Sequence, residues 1–321
     1  MVTGAGGFLG SHLVEALVKK SAKTKALVHY NSRSQWGMLE LADRHLLSHV
    51  EILTGDVRDS DCIRIAVSDC DVVFHLAALI GIPYSYVNPR DVVDTNLIGS
   101  LNVFQAGRDF LTEKVVHIST SEVYGTAEYV PMDEKHPLKP QSPYAASKVA
   151  ADQLALSFYR SFHLPVAIAR PFNAYGPRQS ARAIVPTIIS QGLERRSIKL
   201  GSISATRDLT FVSDTVEGIL KVCESDQTNG EVTNLGSGFE VSIEELVELV
   251  ARVLNKSLRI SSDSKRRRPE ASEVERLCSD SKKAHKTLGW YPRIKLEEGL
   301  AKTIAWIEKH SHLYKTELYN V

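Results

Sequence analysis

The stretch TGAGGFLGSHL, residues 3–13, places Gly4, Gly7 and Gly10 directly before an apolar, helix-like pattern. Glycines at this spacing permit a tight turn after a strand, a close approach of the backbone to a pyrophosphate, and close packing of the following helix. The free N–H groups at the start of that helix attract an anion. The motif therefore predicts a dinucleotide site at a strand–helix junction, provided that the surrounding chain alternates strands and helices.

Strand-like and helix-like segments do alternate through the first half of the chain. Helical patterns include residues 10–20, 90–111 and 143–162, and short apolar runs predict buried strands at 25–30, 50–53, 71–77, 115–119 and 166–170. Apolar strands that alternate with helices indicate a parallel sheet covered on both faces. We therefore expect an α/β protein with a Rossmann-like, doubly wound parallel sheet and a smaller C-terminal α/β lobe.

The expected division places the dinucleotide-binding domain at residues 1–170 and the smaller lobe mainly at residues 171–321. Within the second part, residues 207–236 are expected to return to the large sheet. The glycine loop begins at Gly4, which leaves three residues for a strand that averages five or six, so the first strand is expected to be truncated.

Composition narrows the class of protein. The chain has 321 residues, and 39 Lys and Arg balance 38 Asp and Glu, so no global charge favours nucleic acid or an anionic membrane. No apolar run is long enough to span a bilayer. The four cysteines have no spacing typical of a metal site, and none of the histidines has a partner at metal-ligand spacing, so no metal is expected. We expect a cytoplasmic protein.

The form of the dinucleotide is left open by the second strand, which ends in VHYNSRS without a carboxylate for a ribose 2′-hydroxyl. Arg33 and Ser32 could instead face a 2′-phosphate, which favours NADP over NAD. The alternative, that Arg33 is a solvated loop residue, has equal weight. Asp56, in GDVRD, could lie near the adenine amino group.

A second motif, QSPYAASK at residues 141–148, predicts the start of a helix. Ser142 suits the N-cap and Pro143 the first helical position. Tyr144 and Lys148 then lie one turn apart on one face. An ammonium beside a phenol favours the phenolate, so Tyr144 could act as a base near neutral pH. With the glycine loop, this pair indicates a dinucleotide-dependent enzyme.

These motifs resemble those of the extended short-chain dehydrogenase/reductase family over essentially the whole chain. Further matching segments are HLAA (75–78), DTNLIGS (94–100), STSEVYG (119–125), RPFNAYGP (170–177) and RPE (268–270). Within the family, Thr120-Ser121-Glu122 is similar to the triplet of nucleotide-sugar 4,6-dehydratases and related decarboxylases. Longer stretches, such as RPEASEVERL, are most similar to the dehydratases of bacterial legionaminic acid synthesis, of the GDP-N-acetylglucosamine 4,6-dehydratase type.

The resemblance implies a lyase reaction that forms a 4-keto-6-deoxy sugar nucleotide. Tyr144 would take the proton of the sugar 4-hydroxyl, Thr120 would orient that oxygen, and Lys148 would lower the pKa of Tyr144. Hydride would leave C4 for a tightly bound NAD or NADP and return to C6 after water is eliminated. Glu122 would remove the C5 proton. Because Ser121 stands where some dehydratases have Asp, Glu122 would also be the acid for the leaving hydroxyl.

The resemblance also implies binding residues. Those expected for the cofactor are Gly4, Gly7, Phe8, Leu9, Gly10, Arg33, Asp56, Val57, Leu76, Ala77, Ala78, Asn96, Tyr144, Lys148 and Pro171. Those expected to bind the sugar nucleotide, through its sugar or its diphosphate, are Thr120, Asn173, Arg207 and Arg268. For Asn96 a helix-packing role has similar weight, and the neighbours of Arg268 (Lys265, Arg266 and Arg267) are expected to be solvated.

The partners follow from the same resemblance. A homodimer is expected, in which the segments 90–111 and 143–162 pair with their copies as a four-helix bundle. The substrate is expected to be a nucleoside diphosphate N-acetylhexosamine. Three alternatives stay open: a UDP-glucuronate decarboxylase, a sugar-nucleotide 4-epimerase, and a dinucleotide-sensing regulator without catalytic activity.

Overall fold

The computed structural model describes residues 1–316 and residue 319 of the chain. Its strands are β1 (Val2–Thr3), β2 (Thr24–His29), β3 (Val50–Gly55), β4 (Val72–His75), β5 (Lys114–Ile118), β6 (Val166–Pro171), β7 (Asn173–Tyr175), β8 (Ser197–Leu200), β9 (Thr206–Phe211), β10 (Val232–Leu235), β11 (Glu240–Ser242) and β12 (Arg259–Ser262).

The α-helices are α1 (Phe8–Lys19), α2 (Arg44–Leu47), α3 (Ser60–Val67), α4 (Ile82–Val87), α5 (Pro89–Val93), α6 (Gly99–Asp109), α7 (Pro143–Phe162), α8 (Ile184–Glu194), α9 (Val212–Glu224), α10 (Ile243–Leu254), α11 (Lys282–Leu288) and α12 (Leu296–Lys309). Within residues 1–316 and 319, no helix is long and apolar enough to cross a membrane.

Seven strands form one parallel sheet in the order β10-β6-β5-β4-β1-β2-β3. Side chains alternate between its faces, as a pleated strand requires. In β5, Val115 packs in one core cluster with Phe104, whereas Val116 packs in the other with Leu13. Both faces are therefore covered, and the predicted α/β fold with a Rossmann-like sheet is confirmed.

The order of strands reverses between β1 and β4, since the chain winds outward in opposite directions from that point. In open α/β sheets the crevice at the carboxyl ends of such strands is where ligands bind. The glycine loop after β1, the segment after β4 and the turn after β5 all open onto this crevice. The topology alone thus brings the three predicted motifs together.

The second half of the chain contributes a strand to the large sheet and also forms two smaller sheets. Strand β10 pairs with β6 at the edge of the large sheet. Strands β11, β9 and β7 form a separate three-stranded sheet, and β12 pairs with β8. These two small sheets carry the side chains that face the crevice from the opposite side.

One predicted helix is not continuous. The segment 90–111 consists of α5, a π-helical turn at Asp94–Ile98, and α6. The turn lies where the side chain of Asn96 leaves the helix to bond with the backbone of Leu79. Single π-helical turns are often found next to functional sites.

Candidate active site

A cavity of about 900 Å³ fills the crevice between the large sheet and the smaller sheets. It is lined from one side by the glycine loop and the ends of β4 and β5, and from the other by residues of β7, β9 and the segment 266–273. Of the residues predicted for the site, all but Arg33 and Asn96 line it.

The glycine loop has the shape that a dinucleotide phosphate requires. A Cβ on Gly4 (φ +67°) would lie 2.7 Å from the backbone nitrogen of Ala77, and one on Gly10 would overlap the carbonyl oxygen of Gly4. Gly7 is less confined, and as the N-cap of α1 it offers no side-chain acceptor. The first N–H groups of α1 are therefore left for a ligand in the cavity, and the loop fits a pyrophosphate.

Asp56 lines the cavity directly after β3. Its Oδ1 accepts from the backbone nitrogen of Arg58 at 2.9 Å, and its carboxylate accepts from the Arg58 guanidinium at 2.5–3.0 Å. The Arg58 side chain thereby lowers the pKa of Asp56. The carboxylate is fixed at the cavity wall in its ionised form, where it can accept a hydrogen bond from a ligand.

The predicted contact of Arg33 with a 2′-phosphate is not reproduced. Arg33 and Ser32 are exposed and lie outside the cavity lining. The reason is local, because Asn31 Oδ1 accepts from the backbone nitrogens of Arg33 and Gln35 at 3.1 Å and turns the chain. That turn directs Trp36 rather than Arg33 toward the cavity.

Asn96 also differs from the expectation of a cofactor contact. Its side chain is fully buried and holds the backbone of Leu79 through two hydrogen bonds of 2.8 and 3.0 Å. A third bond, of 2.9 Å, reaches Ser147 Oγ on α7. Asn96 thus anchors the segment after β4 to the helix that carries Tyr144, and it acts behind the cavity wall.

The four residues predicted to be catalytic meet at the end of β5. Thr120 follows the strand and caps the 3₁₀ turn Ser121–Tyr124, since its Oγ1 accepts from the backbone nitrogen of Glu122 at 3.2 Å. Glu122 is therefore held in a buried turn at the cavity wall. As predicted from its cap, α7 begins at Pro143, which places Tyr144 in its first turn and Lys148 one turn later.

The electrostatics of Tyr144 differ from the expectation. Burial raises its pKa far above the usual value, the hydroxyl of Thr120 lowers it in part, and the charge of Glu122 raises it further. The Lys148 ammonium donates to the carbonyl oxygen of Ile118 at 2.6 Å, and burial lowers the pKa of Lys148 to about 8. The protein chain by itself therefore does not give Tyr144 the lowered pKa that the Tyr–Lys spacing predicts.

Two arginines share a carboxylate on the opposite wall. Arg207 Nη2 lies 3.2 Å and Arg268 Nη1 3.6 Å from the same oxygen, Glu273 Oε1. Burial lowers the pKa of Arg207, and the charge of Glu122 opposes that effect. Arg268 Nη1 and Asn173 Oδ1 are buried without a hydrogen-bond partner among the described residues. This wall can accept a polyanion that offers more oxygens than Glu273 does.

Sequence reasoning missed several residues of the lining. Arg266 was expected to be solvated, yet it lines the cavity, held by Asp263 Oδ2 at 3.2 Å. Trp36, Gln179 and Arg182 also line it. They lie in loops whose direction is set by contacts between distant segments, and the only sequence signal was the proximity of Gln179 and Arg182 to the RPFNAYGP motif.

Comparisons with known proteins identify the family to which this chain belongs. Residues 1–303 match the family model described as GDP-mannose 4,6 dehydratase. The putative UDP-glucose 4-epimerase of Methanocaldococcus jannaschii is 30% identical over 317 residues, which cover 97% of this chain and 99% of that protein. The dTDP-D-glucose 4,6-dehydratase of Mus musculus is 31% identical over 324 residues, which cover 98% of this chain and 90% of that protein.

Among solved structures, the dTDP-glucose 4,6-dehydratase DesIV of Streptomyces venezuelae, determined with NAD bound, has a TM-score of 0.85 and 28% sequence identity. The match covers 98% of each chain. Proteins described as dehydratases and as epimerases thus both match this chain over nearly its whole length. This chain belongs to the NAD-dependent nucleotide-sugar 4,6-dehydratase and epimerase family, which the GDP-mannose 4,6 dehydratase model describes.

Proposed function

We propose that this enzyme is a nucleotide-sugar 4,6-dehydratase that forms a 4-keto-6-deoxy sugar nucleotide. The observation that carries the proposal is the buried carboxylate of Glu122, fixed beside Tyr144 at the cavity wall. Epimerisation at C4 needs a proton acceptor only for the 4-hydroxyl. Elimination of water across C5 and C6 needs a second base, and a positioned carboxylate supplies it.

The nicotinamide dinucleotide, when bound, supplies a hydride acceptor for C4 and a hydride donor for C6. The residues that would hold it are those of the glycine loop, the start of α1 and Asp56. Tyr144 accepts the proton of the sugar 4-hydroxyl, and Thr120 fixes the position of that oxygen by a hydrogen bond. Lys148 adds a positive charge to the same wall, which favours the phenolate form of Tyr144.

Glu122 carries out the proton transfers of the elimination. The ketone at C4 makes the C5 proton acidic, and Glu122 removes it. The carboxyl group then gives the proton to the 6-hydroxyl as the C6–O bond breaks and water leaves. In the last step a proton from solvent restores C5, and Tyr144 releases to solvent the proton that it took from the 4-hydroxyl, so the net change is the loss of one water. Ser121 is buried and carries no charge, so Glu122 acts both as base and as acid.

The diphosphate of the substrate is assigned to the opposite wall. Arg207 and Arg268 converge on Glu273, and arginine suits bidentate contacts with phosphate oxygens. Asn173 lines the same cavity, and its Oδ1 has no hydrogen-bond partner among the described residues, so it can accept from the substrate. The proposal of an N-acetylhexosamine rests on the sequence resemblance to the dehydratases of legionaminic acid synthesis.

NAD is the proposed form of the cofactor. The expectation of NADP depended on Arg33, which lies outside the cavity. The Arg33→Ala variant should therefore affect the affinities for NAD and NADP equally, as measured by titration of nucleotide-free protein. A selective loss of NADP affinity would restore the original expectation.

We further propose a homodimer through the face of α6 and α7. The large apolar side chains Ile98, Phe110, Tyr159 and Phe162 are between 37 and 48% exposed along these helices and their ends. A second copy of the same surface would cover them as a four-helix bundle.

The proposed reaction is tested by incubating the purified enzyme with UDP-, GDP-, CDP- and dTDP-linked hexoses and N-acetylhexosamines and weighing the products. Loss of the mass of water supports the proposal. Loss of carbon dioxide from a glucuronate substrate would show a decarboxylase, and a change of configuration without change of mass would show an epimerase. No reaction with any member, while dinucleotide still binds, would favour a dinucleotide-sensing regulator.

A further inference from the structure

Behind the catalytic wall lies a cluster of buried polar residues that the proposed steps do not use. It consists of His117 on β5, Ser119 directly after β5, Asp152 on α7 and Arg170 on β6, and His117 connects it to Lys148. Each of these side chains is at most 5% exposed. Because buried charges are costly unless they are paired, such a cluster calls for an explanation.

Asp152 is the centre of the cluster. Its Oδ2 accepts from Ser119 Oγ at 2.6 Å and from Arg170 Nη2 at 2.7 Å. Burial alone would raise the pKa of Asp152, but the charge of Arg170 and the contact with His117 lower it to about 2. Asp152 is therefore ionised at every pH at which the enzyme could work, and one of its oxygens, Oδ1, is turned toward His117.

His117 connects this carboxylate to Lys148. Its Nε2 lies 3.3 Å from Asp152 Oδ1 and 3.5 Å from Lys148 Nζ. A neutral ring nitrogen can donate to the first or accept from the second, but it cannot do both at once. Burial lowers the pKa of His117 to about 4, so the ring is neutral, and its Nε2 lies between the Lys148 ammonium and an Asp152 oxygen that has no hydrogen-bond partner among the described residues.

We infer that Asp152 is a positioning residue for Lys148, and that its carboxylate, acting across His117, keeps the Lys148 ammonium charged at the cavity wall and so sets the upper pH limit for proton transfer at Tyr144. The activity readout of this inference rests on the proposed function. The contacts among Asp152, His117 and Lys148 do not depend on that function.

Charged and titratable groups on the elements around Lys148 affect the charge of Lys148 and the pKa of Tyr144. Burial opposes the charge of Lys148 and Asp152 supports it, while Glu122 and, to a smaller extent, Asp152 raise the pKa of Tyr144. The groups that face Lys148, Tyr144 or Asp152 from neighbouring elements are His75 from β4, His117 from β5, Glu122 from the turn after β5 and Arg170 from β6. On α5 and the π-helical turn, Asp91 and Asp94 are paired with Arg58 and Arg90 near the surface.

The first test needs no turnover and follows the stability of the purified full chain against pH. A lysine whose folded pKa is lowered makes the folded protein more stable as pH rises, here from about 8 toward the unfolded value of 10.5. The difference in melting temperature between the wild type and Lys148→Met isolates this contribution. When the same difference is measured in an Asp152→Asn background, the rise should begin about one pH unit or more lower.

The Asp152→Asn variant leaves Arg170 unpaired in the interior and could fail to fold. The double variant Asp152→Asn/Arg170→Gln removes both charges, so no unpaired charge is left in the interior. It does not restore the negative charge near Lys148. The double variant should therefore fold and still show the displaced titration.

The second test measures the pH dependence of nicotinamide reduction on mixing with sugar nucleotide. In the wild type the rate should fall above about pH 8, and in the double variant this basic limb should move about one pH unit or more toward acid. The control is Asp214→Asn, which removes a buried carboxylate that accepts from the backbone nitrogens of Arg293 and Ile294. It should lower stability without moving the limb.

A folded double variant with a wild-type titration of Lys148 and a wild-type basic limb would overturn the inference. If the wild type forms no 4-keto-6-deoxy product with any sugar nucleotide, the proposed function fails instead. The stability titration then decides the role of Asp152 alone, because a displaced titration supports it and an unchanged one rejects it.

Discussion

Replacement of Glu122 by glutamine should separate the two halves of the proposed reaction. Glutamine keeps the shape of the side chain, but it cannot accept a proton near neutral pH. Loss of a general base costs a factor of about 10²–10⁴ in rate, which corresponds to about 3–5 kcal/mol in the barrier for elimination. Because Glu122 is proposed to serve as both base and acid, we expect the upper end of this range.

Oxidation at C4 should survive in Glu122→Gln. The charge of Glu122 raises the pKa of Tyr144, so its removal makes the phenolate easier to form and the first step no slower than in the wild type. Arg207 loses a favourable charge but keeps Glu273 at 3.2 Å. The change in substrate affinity should therefore be about tenfold or less.

The assay mixes the variant with substrate and follows the absorbance of reduced nicotinamide together with the product by mass spectrometry. Reduced nicotinamide should accumulate without a 4-keto-6-deoxy product. In deuterated water, the wild type should place deuterium at C5 and the variant should not. The matched control is Glu273→Gln, which changes a carboxylate on the opposite wall of the cavity and should alter KM while both half-reactions proceed. Dehydration by Glu122→Gln at a rate near that of the wild type would refute the assignment.

Three further predictions concern the scaffold. Gly10→Ala should prevent folding, because its Cβ overlaps the Gly4 carbonyl oxygen. Gly7→Ala, whose Cβ lies 3.2 Å from that oxygen, should fold and bind NAD more weakly. Melting curves with and without NAD distinguish the two outcomes. Asp152 has a pKa of about 2 in the folded protein against an ordinary value of 3.8, so it should add about 2 kcal/mol to the free energy of unfolding above pH 4, and this contribution should be lost as the pH falls toward 2. Urea titrations of the wild type and of Asp152→Asn/Arg170→Gln across this pH range measure the contribution. Parallel acid dependences of the two proteins would contradict it. The double variant Phe110→Ser/Phe162→Ser should sediment as a monomer where the wild type sediments as a dimer, and a wild-type monomer at all concentrations would reject the proposed interface.

The parts of the site that could be predicted from sequence are those encoded by local spacing. The glycines of the loop are required by contacts within the loop or with the adjacent strand end, so their pattern is visible in eleven residues. The Ser142 cap fixes the start of α7, and helical periodicity then places Tyr144 and Lys148 on one face. The α/β class followed from the alternation of apolar strands with helices, which is also a local property.

The parts that could not be predicted depend on which distant segments meet. Arg33 and Arg266 are both basic loop residues, and nothing in their neighbours in sequence shows that the first points to solvent and the second to the cavity. Asn96 was expected either at the cofactor or in helix packing, and its bonds to Leu79 and Ser147 select the second role. The Asp152–Arg170 pair joins a helix to a strand eighteen residues on.

The spacing of Tyr144 and Lys148 predicts a lowered pKa for Tyr144, whereas its surroundings raise it, and the reason again lies outside the local sequence pattern. The spacing places an ammonium near a phenol, but it does not count the burial of the phenol or the carboxylate of Glu122. Elimination needs that carboxylate, whereas oxidation needs the phenolate, so the two steps make opposite demands on one charge. A buried cation at the same wall meets both demands as long as it stays charged. Burial lowers the pKa of Lys148 to about 8, so Lys148 is charged below that pH. The carboxylate of Asp152 supports this cation, and it raises the pKa of Tyr144 less than Glu122 does, so below that pH the cation is kept charged at a smaller cost to the phenolate than a second carboxylate beside Tyr144 would impose.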